Sequence, residues 1–173
     1  MSVQLQLRRG TASQVASFTG AIGELAVDTT NRRLVVNDGV TAGGVPANGA
    51  YGPYGSGLQL NTLEGSIETI TPSGMTYTSA LQIPARVMVV GVSHRVIAAI
   101  TGCTAFEVGV AGAPAMFATG IGTAAGSANA GIGGPNSFYS ATSLLLTSTA
   151  GGNFTGGSIR FSIQYLTVAA PTS

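Results

Sequence analysis

The sequence predicts an all-β protein: a small N-terminal β module, then a larger β-sandwich or jelly-roll domain. Three observations carry that expectation. Apolar and polar residues alternate along most of the chain, the period of two that gives a strand one buried and one wet face. Gly supplies 26 of the 173 residues and Pro another 7, cutting the alternating runs into short lengths. Only Thr11 to Phe18 offers a helical spacing, with Val15 and Phe18 on one side, enough for one turn or a short helix.

The first module is expected over residues 1–46. Val3, Leu5 and Leu7 alternate with Gln4, Gln6 and Arg8. Gly23 to Asp28 and Arg33 to Asn37 form two runs around Thr29-Thr30-Asn31-Arg32, which reads as a hairpin loop. Leu25, Val27, Leu34 and Val36 are expected to share its core face. Asp38-Gly39 supplies a closing turn. Residues 47–57, ANGAYGPYGSG, carry no charge and read as a linker.

The distal domain is expected over residues 58–173. Its strongest strand runs from Arg86 to Ile100, with Met88, Val90, Val92, Val96, Ala98 and Ile100 on one face. Phe106, Val108 and Val110 mark a following strand, paired to it through a turn at Thr101-Gly102. Met75, Tyr77, Leu81 and Ile83 mark an earlier strand, and Ile159, Phe161, Ile163 and Tyr165 the last one. Residues 111–142 are rich in small residues and read as loops with short strands of unassigned order.

Composition bears on assembly. Asp, Glu, Lys and Arg make up 8% of the chain, against about 25% in an average domain. All seven cations are Arg. A surface so poor in charge favours burial in permanent subunit contacts. The formal net charge of +1 and the lack of a basic stripe argue against nucleic acid. No stretch supplies the roughly 20 unbroken apolar residues of a spanning helix, so membrane insertion is not expected. MSVQLQLRRG has no apolar core of a signal peptide, which implies synthesis in the cytoplasm. Cys103 stands alone, as a small buried hydrophobe.

The run from Gln6 to Pro46 resembles the N-terminal domain of phage tail-fibre and tropism-determinant proteins. The resemblance rests on Arg8-Arg9-Gly10-Thr11, on Gly23-Glu24-Leu25-Ala26 with Asp28, and on Asp38-Gly39 with Thr41 and Gly43. Val35-Val36-Asn37 stands where family members often carry Lys-x-Gly. The resemblance implies a β-prism-like trimeric shaft or base that docks on other virion proteins. The remainder, from Leu81-Gln82-Ile83-Pro84 to Ser158-Ile159-Arg160-Phe161, resembles the head domains of fibre proteins from phages and gene transfer agents. That likeness implies a homotrimeric virion spike whose distal part contacts host-surface carbohydrate.

The residues themselves show no catalytic set, and neither a cofactor nor a metal is expected. His94, the only histidine, falls on an apolar strand face. It reads as an interior or interface residue, with three copies meeting on a three-fold axis around an ion as an outside variant. Glu64 and Glu68, four apart, are too far separated on a strand to act together on a sugar. Arg8 and Arg9 with Glu24 and Asp28 read as ion pairs between subunits, with phosphate binding as the second reading. Sugar sites combine an aromatic platform with planar polar side chains. Asn136, Phe138 and Tyr139 in GGPNSFYSA and Asn153 and Phe154 in GGNFTGG fit that description, both in turn-rich segments. With no Trp, a single site would be weak, and three copies would compensate by avidity. The expected function is a fibre or spike subunit adhering to host glycan. A purely structural virion protein (a head decoration or spike base) is the alternative, and a polysaccharide depolymerase a third possibility.

Overall fold

The computed structural model describes residues 7–171, so Val3 and Leu5 lie outside the described residues. The described chain is almost entirely β and forms two compact units, the first closing at Gln59 and the second running from Leu60 to Val168.

The first unit opens with β1 (Arg8–Gly10) and the helix α1 (Ala12–Ala16). Thr11 caps the helix in a reciprocal box with Gln14, so a five-residue helix starts cleanly despite its length. β2 (Leu25–Asp28) pairs parallel with β1 and antiparallel with β3 (Arg33–Val36), which pairs with β4 (Val45–Pro46). The expected β2–β3 hairpin forms, held by the buried Asp28 carboxylate. Asp28 accepts from the Thr30 and Asn31 amides (3.1 Å each), from Asn31 Nδ2 (2.6 Å) and from Arg33 Nε (3.2 Å). Burial alone would raise the Asp28 pKa; these donors outweigh it and hold the carboxyl below its ordinary range.

The expectations for this unit's core face and for its ion pairs are corrected. Its core face is built from Val15, Ala26 and Val35; Leu25 and Val27 are half-buried on the opposite face, and Leu34 and Val36 are each 37% exposed there. Both faces of the hairpin are apolar, so alternation alone does not say which one the helix covers. α1 lies against β1 and β2, on the side where Ala26 is small enough to admit it. Of the groups expected to pair between subunits, Arg8 pairs with Glu24 of its own chain at 2.8 Å, and Asp28 pairs with Arg33 at 3.2 Å rather than with Arg8 or Arg9. Arg8 also sits 4.3 Å over the Phe18 ring. Residues 47–57, read as linker, hold β5 (Gly49–Tyr51), which pairs with the start of β6 (Gly57–Glu64).

The second unit adds β7 (Glu68–Thr69), β8 (Thr76–Ile83), β9 (Val87–Thr101), β10 (Ala105–Val110), β11 (Ala113–Gly122), β12 (Ala128–Gly131), β13 (Asn136–Phe138), β14 (Thr142–Ala150) and β15 (Gly156–Ala169). One sheet has the order β11-β10-β14-β8. The other centres on β9 and β15, with β12 and β13 on the far side of β9 and β6 beyond β15. The two share one core, with Val89, Val92, Val96, Ile159, Phe161 and Ile163 from one sheet and Phe106, Val108, Leu144, Leu146 and Ile83 from the other. The tract 111–142 therefore contains a ten-residue strand and two short ones.

The structure departs from the expected strand pairing at Thr101-Gly102. β10 does not pair with β9; the chain crosses there into the facing sheet. β9 is occupied on one edge by β15 and on the other by β12 and β13, so Phe106 and Val108 bury against it across the core instead. Gly102 permits the crossing with φ +93; a Cβ there would lie 1.9 Å from the Asn153 carbonyl oxygen. The alternation within β9 also changes phase. Gln164 pairs with Gly91 but Tyr165 pairs with Val89, so Val90 is an extra, bulged residue. Val87 and Val89 consequently face the core, while Met88 and Val90, expected inside, turn outward.

Candidate functional site

The bulge shapes the outer surface of the β9–β15 sheet. Met88 is flanked across the ladder by Ser137 of β13 and Leu166 of β15. Two residues further along each chain, Arg86, Tyr139 and Val168 continue the same face. These six side chains, with Val87 and Phe138, line an open cleft of about 530 Å³. Its floor is apolar, and its one charge is Arg86. Arg86 takes a left-handed φ of +59 just after Pro84-Ala85, a costly conformation for a residue with a Cβ. Tyr139 is 84% exposed at the rim. Phe138 packs partly against the core, and Asn136 spends its amide on the Gly133 carbonyl at 2.5 Å.

The predicted sugar-binding residues thus separate into two groups. Tyr139 and Phe138 line the cleft, with Asn136 beside it on β13. Asn153 is exposed on the turn between β14 and β15 and does not line it. Phe154 is 1% exposed and stacks edge-on to Phe106 at 6.5 Å, inside the core. Its ring fills space between the sheets and presents no face to a ligand. Arg86, Leu166 and Val168 were not read as site residues, and Met88 was placed on the inward face, because only the bulge at Val90 turns it outward.

A second cleft of about 220 Å³ lies on the same sheet, around Ser93, Arg95, Arg160, Ser162 and Glu64. His94, between two of these residues, points the other way. It is 4% exposed and lies between the rings of Phe106 (6.0 Å) and Phe161 (6.3 Å). Neither ring nitrogen has a hydrogen-bond partner. Desolvation lowers its pKa to about 4, so it is a neutral imidazole at physiological pH. Its enclosure within one chain's own core leaves no nitrogen for a neighbouring copy on an axis.

The carboxylates are placed far apart in chemistry. Glu64 sits on the outer face, 3.7 Å from Arg160. Glu68 is buried and accepts from Ser79 Oγ (2.7 Å), the Leu81 amide (3.1 Å), the Ala80 amide (3.1 Å) and Tyr77 Oη (3.3 Å). Between Thr78 and Gln82 the pairing of β8 with β14 slips, freeing the amides that Glu68 collects. Burial first, then the nearby Glu68 charge, raises the Tyr77 pKa. This carboxylate holds a bulge in place. Its role in the sequence was not legible, since the bulge and the glutamate are brought together only by the fold. Among the described residues no cluster of His, Cys, Asp or Glu is arranged to hold a metal, and no helix is long and apolar enough to cross a membrane.

Comparison with known proteins bears on the first unit. Residues 5–41 match the family of the major tropism determinant N-terminal domain. The tropism-determinant-like module thus includes the capped helix, the Asp28 hairpin and the Asp38-Gly39 turn. In that turn Asp38 accepts from the Thr41 hydroxyl (2.6 Å) and amide (2.7 Å) and from the Val40 amide (3.0 Å), which pull its pKa down to about 2. A tail fiber receptor-binding protein of Bordetella phage BPP-1 is 54% identical over 46 residues, 27% of this chain and 12% of that protein. The chain therefore spans a small part of that relative's length. Among solved structures, a chain titled cyanophage Pam1 capsid asymmetric unit aligns with a TM-score of 0.41 and 19% identity, over 68% of this chain and 89% of that one.

Proposed function

We propose that this chain is a subunit of a homotrimeric virion fibre or spike that attaches the particle to host-surface carbohydrate. Its tropism-determinant-like module would dock on other virion proteins, and its second unit would meet the host. The observation that carries this reading is the match over residues 5–41, together with the identity to a protein named for tail-fibre receptor binding.

Trimerisation is supported by the face of the module that its helix leaves bare. Leu34 and Val36 stand half-exposed beside Leu25 and Val27, an apolar surface that a second and third copy would cover in a chain with 8% charged residues. Adhesion is supported by the first cleft, where Tyr139 offers an exposed ring beside Ser137 and Arg86. One aromatic without Trp makes a weak site, and three copies on one spike multiply it. Catalysis forms no part of the reading, because Glu68, the buried carboxylate, is already occupied by four donors.

Sedimentation and adhesion together test the proposal. The purified chain is expected to sediment as a trimer at micromolar concentration; a monodisperse monomer would remove the assembly. Labelled protein is expected to bind host cells or a glycan array, and Tyr139→Ala to lose that binding with unchanged circular dichroism. Undiminished binding by the variant would exclude the first cleft as the adhesive site.

A further inference from the structure

On the outer face of the second unit's sheet, two arginines stand directly opposite one another. Arg160 of β15 is the Cα partner of Arg95 of β9, and Ser162 is likewise the partner of Ser93. Like charges directly across a ladder destabilise it, and here the protein offers little to offset them. Glu64 approaches Arg160 Nη1 only to 3.7 Å, with both side chains substantially exposed, an arrangement worth little. Arg160 Nε is enclosed and has no hydrogen-bond partner among the described residues. Arg95 makes no ion pair among them. Its Nη2 lies 3.9 Å from where a Cβ on Gly126 would stand. Gly126 bonds to β9 through the Val96 carbonyl, on the β12 side, so the Arg95 guanidinium leans away from Arg160. The second cleft opens between them.

We propose that this cleft binds a tetrahedral oxyanion, phosphate or sulfate, held between Arg95 and Arg160. Two guanidinium forks from neighbouring strands face it, with the Ser162 hydroxyl, which accepts from Gln164 Nε2 at 3.0 Å and donates to no described residue; Glu64 is the one carboxylate in its lining. An ion with acceptor oxygens in several directions satisfies forks that do not share a plane, and charge-assisted bonds to Arg are the strong ones. Bound there, the anion would neutralise the like-charge pair through the Nη ends of the two guanidinium groups. The inference stands on the second cleft alone, independent of Tyr139 and of the match over residues 5–41. Free phosphate or sulfate and the same groups borne on a surface polysaccharide present one chemistry to it.

Thermal unfolding of the full chain at constant ionic strength, with NaCl replaced stepwise by sodium phosphate or sulfate, tests this. The midpoint is expected to rise saturably with either anion and to stay flat in chloride. Arg95→Gln and Arg160→Gln should each abolish the saturable rise, while Glu64→Gln, which removes the competing carboxylate, should tighten binding several-fold. Arg95 is exposed, so its variant carries the test even if Arg160→Gln folds poorly. A second arm compares binding to phosphorylated lipopolysaccharide and to its enzymatically dephosphorylated form. Arg95-dependent binding to the phosphorylated form assigns the site to glycan-borne phosphate, and binding to inorganic phosphate alone assigns it to the free ion. A midpoint indifferent to both anions, or an equal response in Arg95→Gln and the parent chain, overturns the proposal.

Discussion

Replacing Glu68 by Ala should unpin the bulge of β8. The carboxylate, 8% exposed, collects two backbone amides and two hydroxyls. The hydroxyls have recourse: Tyr77 Oη also reaches the Thr69 carbonyl at 3.4 Å, and Ser79 Oγ rotates. The Leu81 amide keeps the Ser79 hydroxyl at 3.0 Å. The Ala80 amide has no second protein acceptor among the described residues, and because Ala80 is exposed water replaces part of its bond. A buried donor left unmade costs about 1–3 kcal/mol, and bonds to a charged group are worth about 1.5–3 kcal/mol each. With partial compensation, Glu68→Ala should cost about 2–4 kcal/mol. At about 4 °C per kcal/mol for a unit of this size, the midpoint should fall by roughly 8–16 °C. Glu68→Gln should recover less than half, because its Nε2 would confront donors where Oε2 accepted. Denaturant titration measures the loss, and amide exchange at Ala80 and Leu81 localises it. A loss below about 1 kcal/mol with both amides still protected would refute the argument that this carboxylate holds the bulge.

Acid should destabilise the second unit through His94. Its folded pKa of about 4 lies below the ordinary 6.5, so the unfolded chain binds a proton that the folded chain refuses. The stability is full above pH 6.5 and is lost as pH falls toward 4, by about 3 kcal/mol at about 1.4 kcal/mol per pH unit. The difference in unfolding free energy between the parent chain and His94→Phe should be constant above pH 6.5 and shift as pH falls toward 4; parallel curves throughout would contradict it. In the first unit, Asp28→Asn should loosen the β2–β3 hairpin by about 1–3 kcal/mol. The parent hairpin, whose aspartate is held below its ordinary 3.8, should keep its stability above that pH and lose it as pH falls further, read from the exchange of the Thr30 and Asn31 amides. Phe154→Ala should cost about 3–5 kcal/mol by opening a cavity against Phe106, without altering host-cell adhesion; a near-neutral effect would mean that the ring is not a core residue.

Much of the architecture was readable because strand alternation is a local signal. The last strand was placed with Ile159, Phe161 and Ile163 inward, and all three are fully buried. The β2–β3 hairpin and the short helix after Thr11 were legible for the same reason, since caps and turns are short-range chemistry. The motif Arg8-Arg9-Gly10-Thr11 with Gly23 to Asp28 was specific enough to indicate the family that residues 5–41 match. The candidate site was half legible: Tyr139 reached an exposed cleft, whereas Phe154, equally aromatic and equally flanked by glycine, went into the core.

Period, punctuation and charge poverty are written in the order of the residues, and with them an all-β chain. Tertiary structure alone decided which face of each strand is inward and which strands meet. An extra residue at Val90 reverses the alternation of β9, and its position depends on pairing with β15, far along the chain. The opposition of Arg95 to Arg160 and the capture of the β8 amides by Glu68 are likewise products of register between distant segments. A period of two is written into neighbouring residues, but a one-residue slip between partners changes every face beyond it.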